Sequence, residues 1–333
     1  MIRSNPTLRI AGPVLVASFA LACTSTTEKG GVGGGVDGGG AEKSETGAEA
    51  KGSGGTPGQG GSNAAGGAGG ATAANARGGI DLVQQGQLSS AFYTVGGGFA
   101  RLPSTAQPAN GLVCTASTIG ECLVSACTFP DTAFSDAPDA GVTTSTALDA
   151  GTITVTGAGA SKAVLTFGAI SAQTTQQGYA GVSSQAQFFS GGDTITVVGG
   201  GGADLPAFAA QTVIAPNDIV LIAPVCAGLE CDVDRTQDLA VAWTGGGAGK
   251  VRAAFETVGS TSSGTVFCTF DAASGMGTVP EAALAMLGDT RDGSTTGVEI
   301  FGSLNETAFN VGGVPTTFSV QSSATEALMN VTK

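Results

Sequence analysis

Short segments that alternate apolar and polar residues, separated by glycine-rich turns, fill the chain after about residue 80 and restrict its possible folds. Residues 151–157, GTITVTG, place Ile153 and Val155 on one face of an extended strand and threonines on the other. Residues 193–198, DTITVV, repeat the pattern. The same reasoning predicts strands at 162–167, 219–223, 264–270, 298–304 and 316–320. Many short strands with turn signals between them are typical of an antiparallel β-sandwich.

Two segments allow more specific predictions. Residues 238–244, DLAVAWT, and 250–256, KVRAAFE, both alternate, and the GGGAG between them predicts a β-hairpin. The run IVLI at 219–222 is apolar at every position. An uninterrupted apolar run predicts a central strand that is buried on both faces.

The whole pattern predicts an all-β fold over residues 80–333, an antiparallel β-sandwich of Ig-like or jelly-roll-like type with one short helix. The helix is expected from Pro280 to about Leu287, because proline is favoured in a first turn and Gly288 provides a stop. One large sandwich and two tandem sandwiches both fit the pattern. In the second case the boundary would fall near residues 224–232.

Residues 1–22 have the pattern of a signal peptide. Arg3 and Arg9 precede an apolar run from Ile10 to Leu21, which is too short to span a bilayer as a mature helix. Cleavage before Cys23 fits an ordinary A-x-A site and equally a lipobox, in which Cys23 is acylated. The chain has seven cysteines, so lipidation of Cys23 leaves an even number to pair in an oxidising compartment. This favours the lipobox.

The segment from the lipidated Cys23 to residue 79 is predicted to be a disordered linker. It is rich in glycine and contains no aromatic residue, so it lacks the apolar surface needed to offset the entropy of ordering. A flexible coil of this length spans on the order of 40 Å. Thr24, rather than aspartate, follows the anchor, as in lipoproteins passed on to the outer membrane. We therefore expect an exported protein that is lipid-anchored at either face of that membrane.

The remaining cysteines are disulfide candidates: Cys114, Cys122, Cys127, Cys226, Cys231 and Cys268. Six cysteines allow 15 pairings, and the sequence alone does not choose among them. A bond from Cys226 to Cys231 is the pairing we favour, because the residues between them can close a small loop. The other four would then pair among themselves. A zinc site is the competing interpretation, which an oxidising compartment disfavours.

Three stretches resemble a group of uncharacterised lipoproteins abundant in myxobacteria: residues 190–216, 234–255 and 266–287. They include SGGDTITVVGGGGADLPAFAAQTVIAP and VFCTFDAASGMGTVPEAALAML. The resemblance covers most of the exported chain. It implies a lipobox, a glycine-rich linker and a β-rich ectodomain. No activity is established for the group, so it transfers no functional residue.

The chain contains no histidine, which excludes Ser-His-Asp and Cys-His catalysis and histidine-containing metal triads. Carboxylates, lysine and tyrosine remain. Two acids roughly 5 to 10 Å apart would suit a polysaccharide hydrolase, the alternative function we keep. Tyr179 and the pair Phe188-Phe189 either stack on sugars or belong to the core. The net charge of −13 makes nucleic acid an unsuitable partner.

Two acidic clusters are weak calcium candidates, because calcium binds oxygen-rich loops. The first consists of Asp232, Asp234 and Asp238, and the second of Asp289 and Asp292. Ordinary turn and strand-end roles explain both sets equally well.

These observations predict a non-catalytic cell-envelope lipoprotein with a structural or binding ectodomain. We expect no catalytic residue and no cofactor. The expected partners are the membrane, through the lipid anchor, and an envelope protein or polysaccharide, met by the sheet surface or its end loops.

Overall fold

The structure is a computed structural model that describes residues 75–85, 92–101, 113–128, 146–169, 177–226, 230–259, 262–290 and 295–332. All of these lie in one compact unit, Gly66–Lys333. The predicted signal peptide, Cys23 and the linker as far as residue 74 lie outside the described residues.

The described residues form twenty strands and one short α-helix. In chain order the strands are β1 (Ala76–Gln85), β2 (Phe92–Arg101), β3 (Val113–Ile119), β4 (Cys122–Thr128), β5 (Thr146–Leu148), β6 (Ile153–Thr156), β7 (Lys162–Leu165), β8 (Phe167–Ala169), β9 (Gln177–Tyr179), β10 (Val182–Ser184), β11 (Thr194–Gly199), β12 (Phe208–Ile214), β13 (Ile219–Ala223), β14 (Glu230–Asp234), β15 (Leu239–Gly245), β16 (Lys250–Gly259), β17 (Ser262–Asp271), β18 (Met276–Val279), β19 (Thr295–Val311) and β20 (Val314–Thr332). The helix, α1, spans Glu281–Leu284, and a 3₁₀ turn covers Ala272–Ser274.

The fold is all-β and sandwich-like, as the alternating pattern predicts. Eleven strands form a large sheet in the order β10-β2-β1-β20-β19-β16-β17-β4-β3, with β14 beside β20 and β5 beside β2. Smaller sheets have the orders β12-β11-β6-β7, β13-β15-β18 and β8-β9. Most pairs are antiparallel, but β1 and β14 both run parallel to β20, so the large sheet is mixed.

Two apolar clusters lie on the inner face of the large sheet. The first core joins β1, β2 and β20 to the four-stranded sheet, through buried residues such as Leu82, Phe318 and Ile195. The second core joins β16, β17 and β4 to the three-stranded sheet and α1, through residues such as Phe255, Trp243 and Leu284. Each small sheet therefore covers its own part of one continuous sheet.

A polar seam separates the two cores. Ser303 is paired with Ser322, and Ser322 with Gln84, so the three side chains share the inner face. The Gln84 side chain accepts from the amides of Phe188 and Phe189, at 2.7 and 3.0 Å, and donates to the Phe189 carbonyl at 2.9 Å. A buried side-chain amide whose hydrogen bonds are satisfied costs the fold little free energy. Because these bonds run from β1 to the backbone at Phe188 and Phe189, they tie the large sheet to the segment packed against it.

Residues 238–256 do not form the predicted hairpin. β15 pairs with β13 and β18, whereas β16 pairs with β17 and β19 in the other layer. The connection instead arches over the second core, where Trp243 and Phe255 are both buried. Gly245 and Gly246 have φ values of 87° and 81°, which glycine adopts without steric cost.

The predicted central strand at 219–222 is an edge strand. β13 has β15 as its strand neighbour in the described part of the chain, and the exposed fractions of Val220 and Ile222 are 58% and 52%. The apolar run therefore faces the core on one side and solvent on the other.

β1 begins at Ala76, inside the segment predicted to be linker. The sequence ARGGI resembles the linker in composition, but Ala76 is buried and pairs with Arg101. A Cβ on Gly78 would lie 2.6 Å from the Phe99 ring, so this glycine allows the close packing of β1 on β2.

The helix prediction is confirmed in place, although α1 is shorter than expected. Pro280 is its N-cap, and bonds from Met286 to the Ala283 carbonyl and from Leu287 to the Leu284 carbonyl tighten the end into a 3₁₀ turn. The Gly288 amide then donates to Thr257 Oγ1 at 2.8 Å, which anchors the helix end to β16.

Candidate functional site

The outer face of the three-stranded sheet is the candidate functional site, and we call it the neutral face. Strand register defines it, because Trp243 and Val241 point into the second core and their neighbours point outward. Val220 pairs with Thr244, and Ala242 pairs with Met276. The outward positions are Val220, Ile222, Ala240, Ala242, Thr244, Met276 and Thr278.

None of these seven positions carries a charge, although the chain has a net charge of −13. Met276 is 68% exposed, and Val225, just after β13, is 88% exposed. Grouped exposed apolar side chains, unlike single ones, mark binding surfaces.

The outer face of the four-stranded sheet provides a comparison within the same molecule. Val164 and Val198 both pair with Thr154, so they lie in one row on that face. The next row along pairs Thr156 with Lys162, so a cation interrupts this face. The neutral face has no such interruption.

Edge position makes the neutral face accessible to another strand. Natural edge strands are commonly protected by lysine, other inward charges or proline. β13 has no charged residue between Ile219 and Ala223. Its protection is its length of five residues and the flanking Pro216 and Pro224. The two prolines are the sequence feature that indicates an edge strand, whereas the apolar run alone suggests a buried central strand.

The three aspartates of the first calcium candidate do not gather. Asp232 accepts from Asn330, Asp234 from Thr236 and Gln237, and Asp238 from the Glu281 amide at the start of α1. The bonds from Thr236 hold the pKa of Asp234 below its usual value. Among the described residues no group of three His, Cys, Asp or Glu residues could hold a metal ion. Asp292, in the second candidate, lies outside the described residues.

All six cysteines among the described residues form disulfides: Cys114–Cys127, Cys122–Cys268 and Cys226–Cys231. The last is the pairing expected from its short loop. The first two join residues that are directly opposite on neighbouring antiparallel strands, with Cα–Cα distances of 4.1 and 3.9 Å. These pairings commit the thiols to bridges instead of a zinc site.

The aromatic residues considered for sugar stacking are mostly core residues. Phe188 and Phe189 are 1% and 2% exposed and belong to the first core. The hydroxyl of Tyr179 donates to the Gly151 carbonyl at 2.9 Å and accepts from the Ala150 amide at 2.8 Å. Burial, followed by nearby acidic charge, raises the pKa of Tyr179 to about 12. This tyrosine is therefore a neutral structural link.

Two acids come close together beside this tyrosine. The Asp149 carboxylate accepts from the amides of Gly151 and Ala203, at 2.7 and 3.2 Å. Asp204 accepts from the Asp149 amide at 2.9 Å. Both carboxylates thus cap turns, and these contacts do not favour an acid and nucleophile pair for glycoside hydrolysis.

Sequence reasoning missed Asp81, a partly buried aspartate on the outer face of the large sheet. Asp81 pairs with Ser319, whose hydroxyl donates to its carboxylate. Burial raises the pKa of Asp81, and the Ser319 hydroxyl and Arg252 oppose that rise to a smaller extent. The sequence feature that indicates it is a single acidic residue in the alternating segment GIDLVQ. This segment begins within the residues predicted to be linker.

No protein-family model matches the chain, and no curated protein matches it. The resemblance to myxobacterial lipoproteins therefore stays a prediction. Among the described residues there is no helix of the length and hydropathy needed to cross a membrane.

Proposed function

We propose that the protein is a non-catalytic cell-envelope lipoprotein, held at the outer membrane by acyl chains on Cys23, whose β-sandwich binds another envelope protein through the neutral face. The single observation that supports the binding role is this uncharged, exposed sheet face beside the edge strand β13. The linker gives the ectodomain reach, and the rigid sheet presents the surface.

The chemistry of the face favours one class of partner. Two copies of a chain with a net charge of −13 repel each other, so a second copy is disfavoured. Sugars bind by stacking on exposed aromatic rings. Among the described residues, Phe267 is the only aromatic one in the set of exposed large apolar side chains, at 38%, and it lies on β17 rather than on the neutral face. A neutral, apolar strand of a different protein fits best, because it could pair along β13 and place alternate side chains against Val220 and Ile222.

Site-specific photo-cross-linking in the producing cells tests the binding role. A photoreactive residue at Val220 should give a discrete cross-linked product, and Ile222→Lys in the same chain should remove it. The matched control places the photoreactive residue at Val164, equally apolar but on the other small sheet. Identical products from both positions, or none from Val220, would contradict the proposal.

A separate experiment tests the anchor. Cys23→Ser should move the protein from the membrane fraction to the soluble fraction, and mass spectrometry of the mature wild-type N-terminus should show an acylated cysteine. An unmodified Cys23 thiol would disprove lipidation and leave the binding role to be judged by cross-linking alone.

A further inference from the structure

The hairpin of β3 and β4 carries two disulfides in opposite environments. Cys122–Cys268 joins β4 to β17 on the inner face, and both cysteines are fully buried in the second core. Cys114–Cys127 joins β3 to β4. Cys127 lies an odd number of residues after Cys122 along β4, so its side chain points to the opposite, outer face. Cys114 is exposed and Cys127 is partly exposed.

The strand that carries Cys114 contributes little to the core. β3 is the last strand of the large sheet, and every residue from Cys114 to Thr118 is exposed. The next strand inward, β4, keeps its pairing with β17 and its bond to Cys268 whatever happens to Cys114. Opening Cys114–Cys127 therefore leaves the core contacts of β4 in place, and Ile119, the residue of β3 that packs against the second core, lies at the opposite end of the strand from Cys114.

The described neighbours of Cys127 in its own row of the sheet are uncharged. Cys127 pairs with Ser263, Ser263 with Val258, and Val258 with Thr296, which places these residues in one row on the outer face. None of them is charged. Thiolates attack disulfides, and access to the sulfur is one of the factors that determine the rate.

We propose that Cys114–Cys127 is a thiol–disulfide exchange site that a dithiol reductant opens in the folded protein. One thiolate of the reductant attacks the Cys114 sulfur, forms a mixed disulfide and releases the Cys127 thiolate. The second thiol of the reductant then displaces Cys114, so the reductant leaves as a disulfide. Two electrons and two protons pass to the protein, which retains its fold and presents two opposed thiols at the sheet edge.

Timed reduction of the native protein tests the proposal. The protein is treated with dithiothreitol without denaturant, quenched with iodoacetamide at intervals, and mapped by peptide mass spectrometry. Cys114 and Cys127 should be labelled at least about tenfold faster than Cys122 and Cys268. The fluorescence of Trp243, the only tryptophan and a buried residue of the second core, should not change during the fast phase.

Cys226 of the third disulfide is half-exposed, so its reduction is the main alternative source of fast labelling. A variant is needed to show which disulfide gives the fast phase. Cys114→Ser with Cys127→Ser should abolish that phase and leave the slower labelling unchanged. A fast phase that persists in this variant would overturn the proposal. Equal labelling rates at all sites in the wild type, or labelling that accompanies a change in Trp243 fluorescence, would overturn it as well.

Discussion

The two cores are stabilised by different means. Around the second core there are covalent connections: Cys122–Cys268 and Cys114–Cys127 each join neighbouring strands of the large sheet, and Cys226–Cys231 joins the segment just after β13 to β14. Around the first core the described residues contain no disulfide, and side chains bond to loop backbone instead, notably from Gln84 and Tyr179.

The difference shows that two solutions serve one continuous sheet. A disulfide acts largely on the unfolded chain by reducing its conformational freedom, whereas a buried hydrogen bond acts on the folded state by satisfying groups that have left water. Reducing conditions should therefore destabilise the second core more than the first. Removal of the buried hydrogen-bonding side chains should destabilise the first core more than the second.

The largest expected effect is the loss of Cys122–Cys268. The bond spans 146 residues, so Cys122→Ala with Cys268→Ala should lower the free energy of unfolding by about 5 kcal/mol in the chain-entropy model. Cys114→Ala with Cys127→Ala, spanning 13 residues, should cost about 3 kcal/mol. Urea unfolding measures both, and equal losses would refute the dependence on loop length.

The next effect tests the first core. Gln84→Ala removes three hydrogen bonds to the buried backbone of Phe188 and Phe189, so we expect a loss of about 2 to 4 kcal/mol. Gln211→Ala is the matched control, because that amide bonds the Ala209 carbonyl at the surface and should change stability by less than about 0.5 kcal/mol. If the two variants unfold at the same urea concentration, the polar seam does not stabilise the fold.

Tyr179→Phe should cost about 1 to 2 kcal/mol at neutral pH, since it leaves the Ala150 amide without its acceptor. The fold disfavours the phenolate, so the contribution of the hydroxyl is complete below the pKa of an unfolded tyrosine, about 10. It is lost as the pH rises through the folded pKa of about 12. Unfolding of the wild type and variant between pH 7 and 12 should converge, and a constant difference would contradict this role.

The smallest effect is a gain in stability. Because burial raises the pKa of Asp81, its charged form opposes folding above the pKa of an unfolded aspartate, about 3.9. Asp81→Asn should therefore raise Tm at pH 7 by roughly 2 to 4 °C, with the gain vanishing as the pH falls below that value. Glu306→Gln is the control, because Glu306 is exposed in the same row and should leave Tm nearly unchanged.

Local pattern predicted the strands but not their partners. Alternation placed strands correctly at β6, β11, β15 and β17, because period-two burial is a property of each segment. A glycine-rich turn fits both a hairpin and the arch between β15 and β16. The strand pairing distinguishes them, because β15 and β16 lie in opposite layers and bury Trp243 and Phe255 in one core.

Glycine-rich strands and the candidate site were the hardest to predict. β1 and β2 hold ARGGI and VGGGF, where glycine lowers strand propensity but allows Gly78 to pack on Phe99. The neutral face depends on which apolar residues stay outside, as Val220 and Met276 do. That outcome is set by the edge of a sheet that forms from distant segments, and the local pattern offers only the flanking prolines, Pro216 and Pro224, as a sign of it.

The parallel contact of β1 with β20 has a consequence for biogenesis. Gly78 pairs with Thr316, so a strand made early in translation must wait for nearly the last segment before its second edge is filled. At a synthesis rate of about 5 to 20 residues per second, that delay is at least ten seconds or so. During it the nascent chain carries an open β-edge, which is a site for non-native strand pairing.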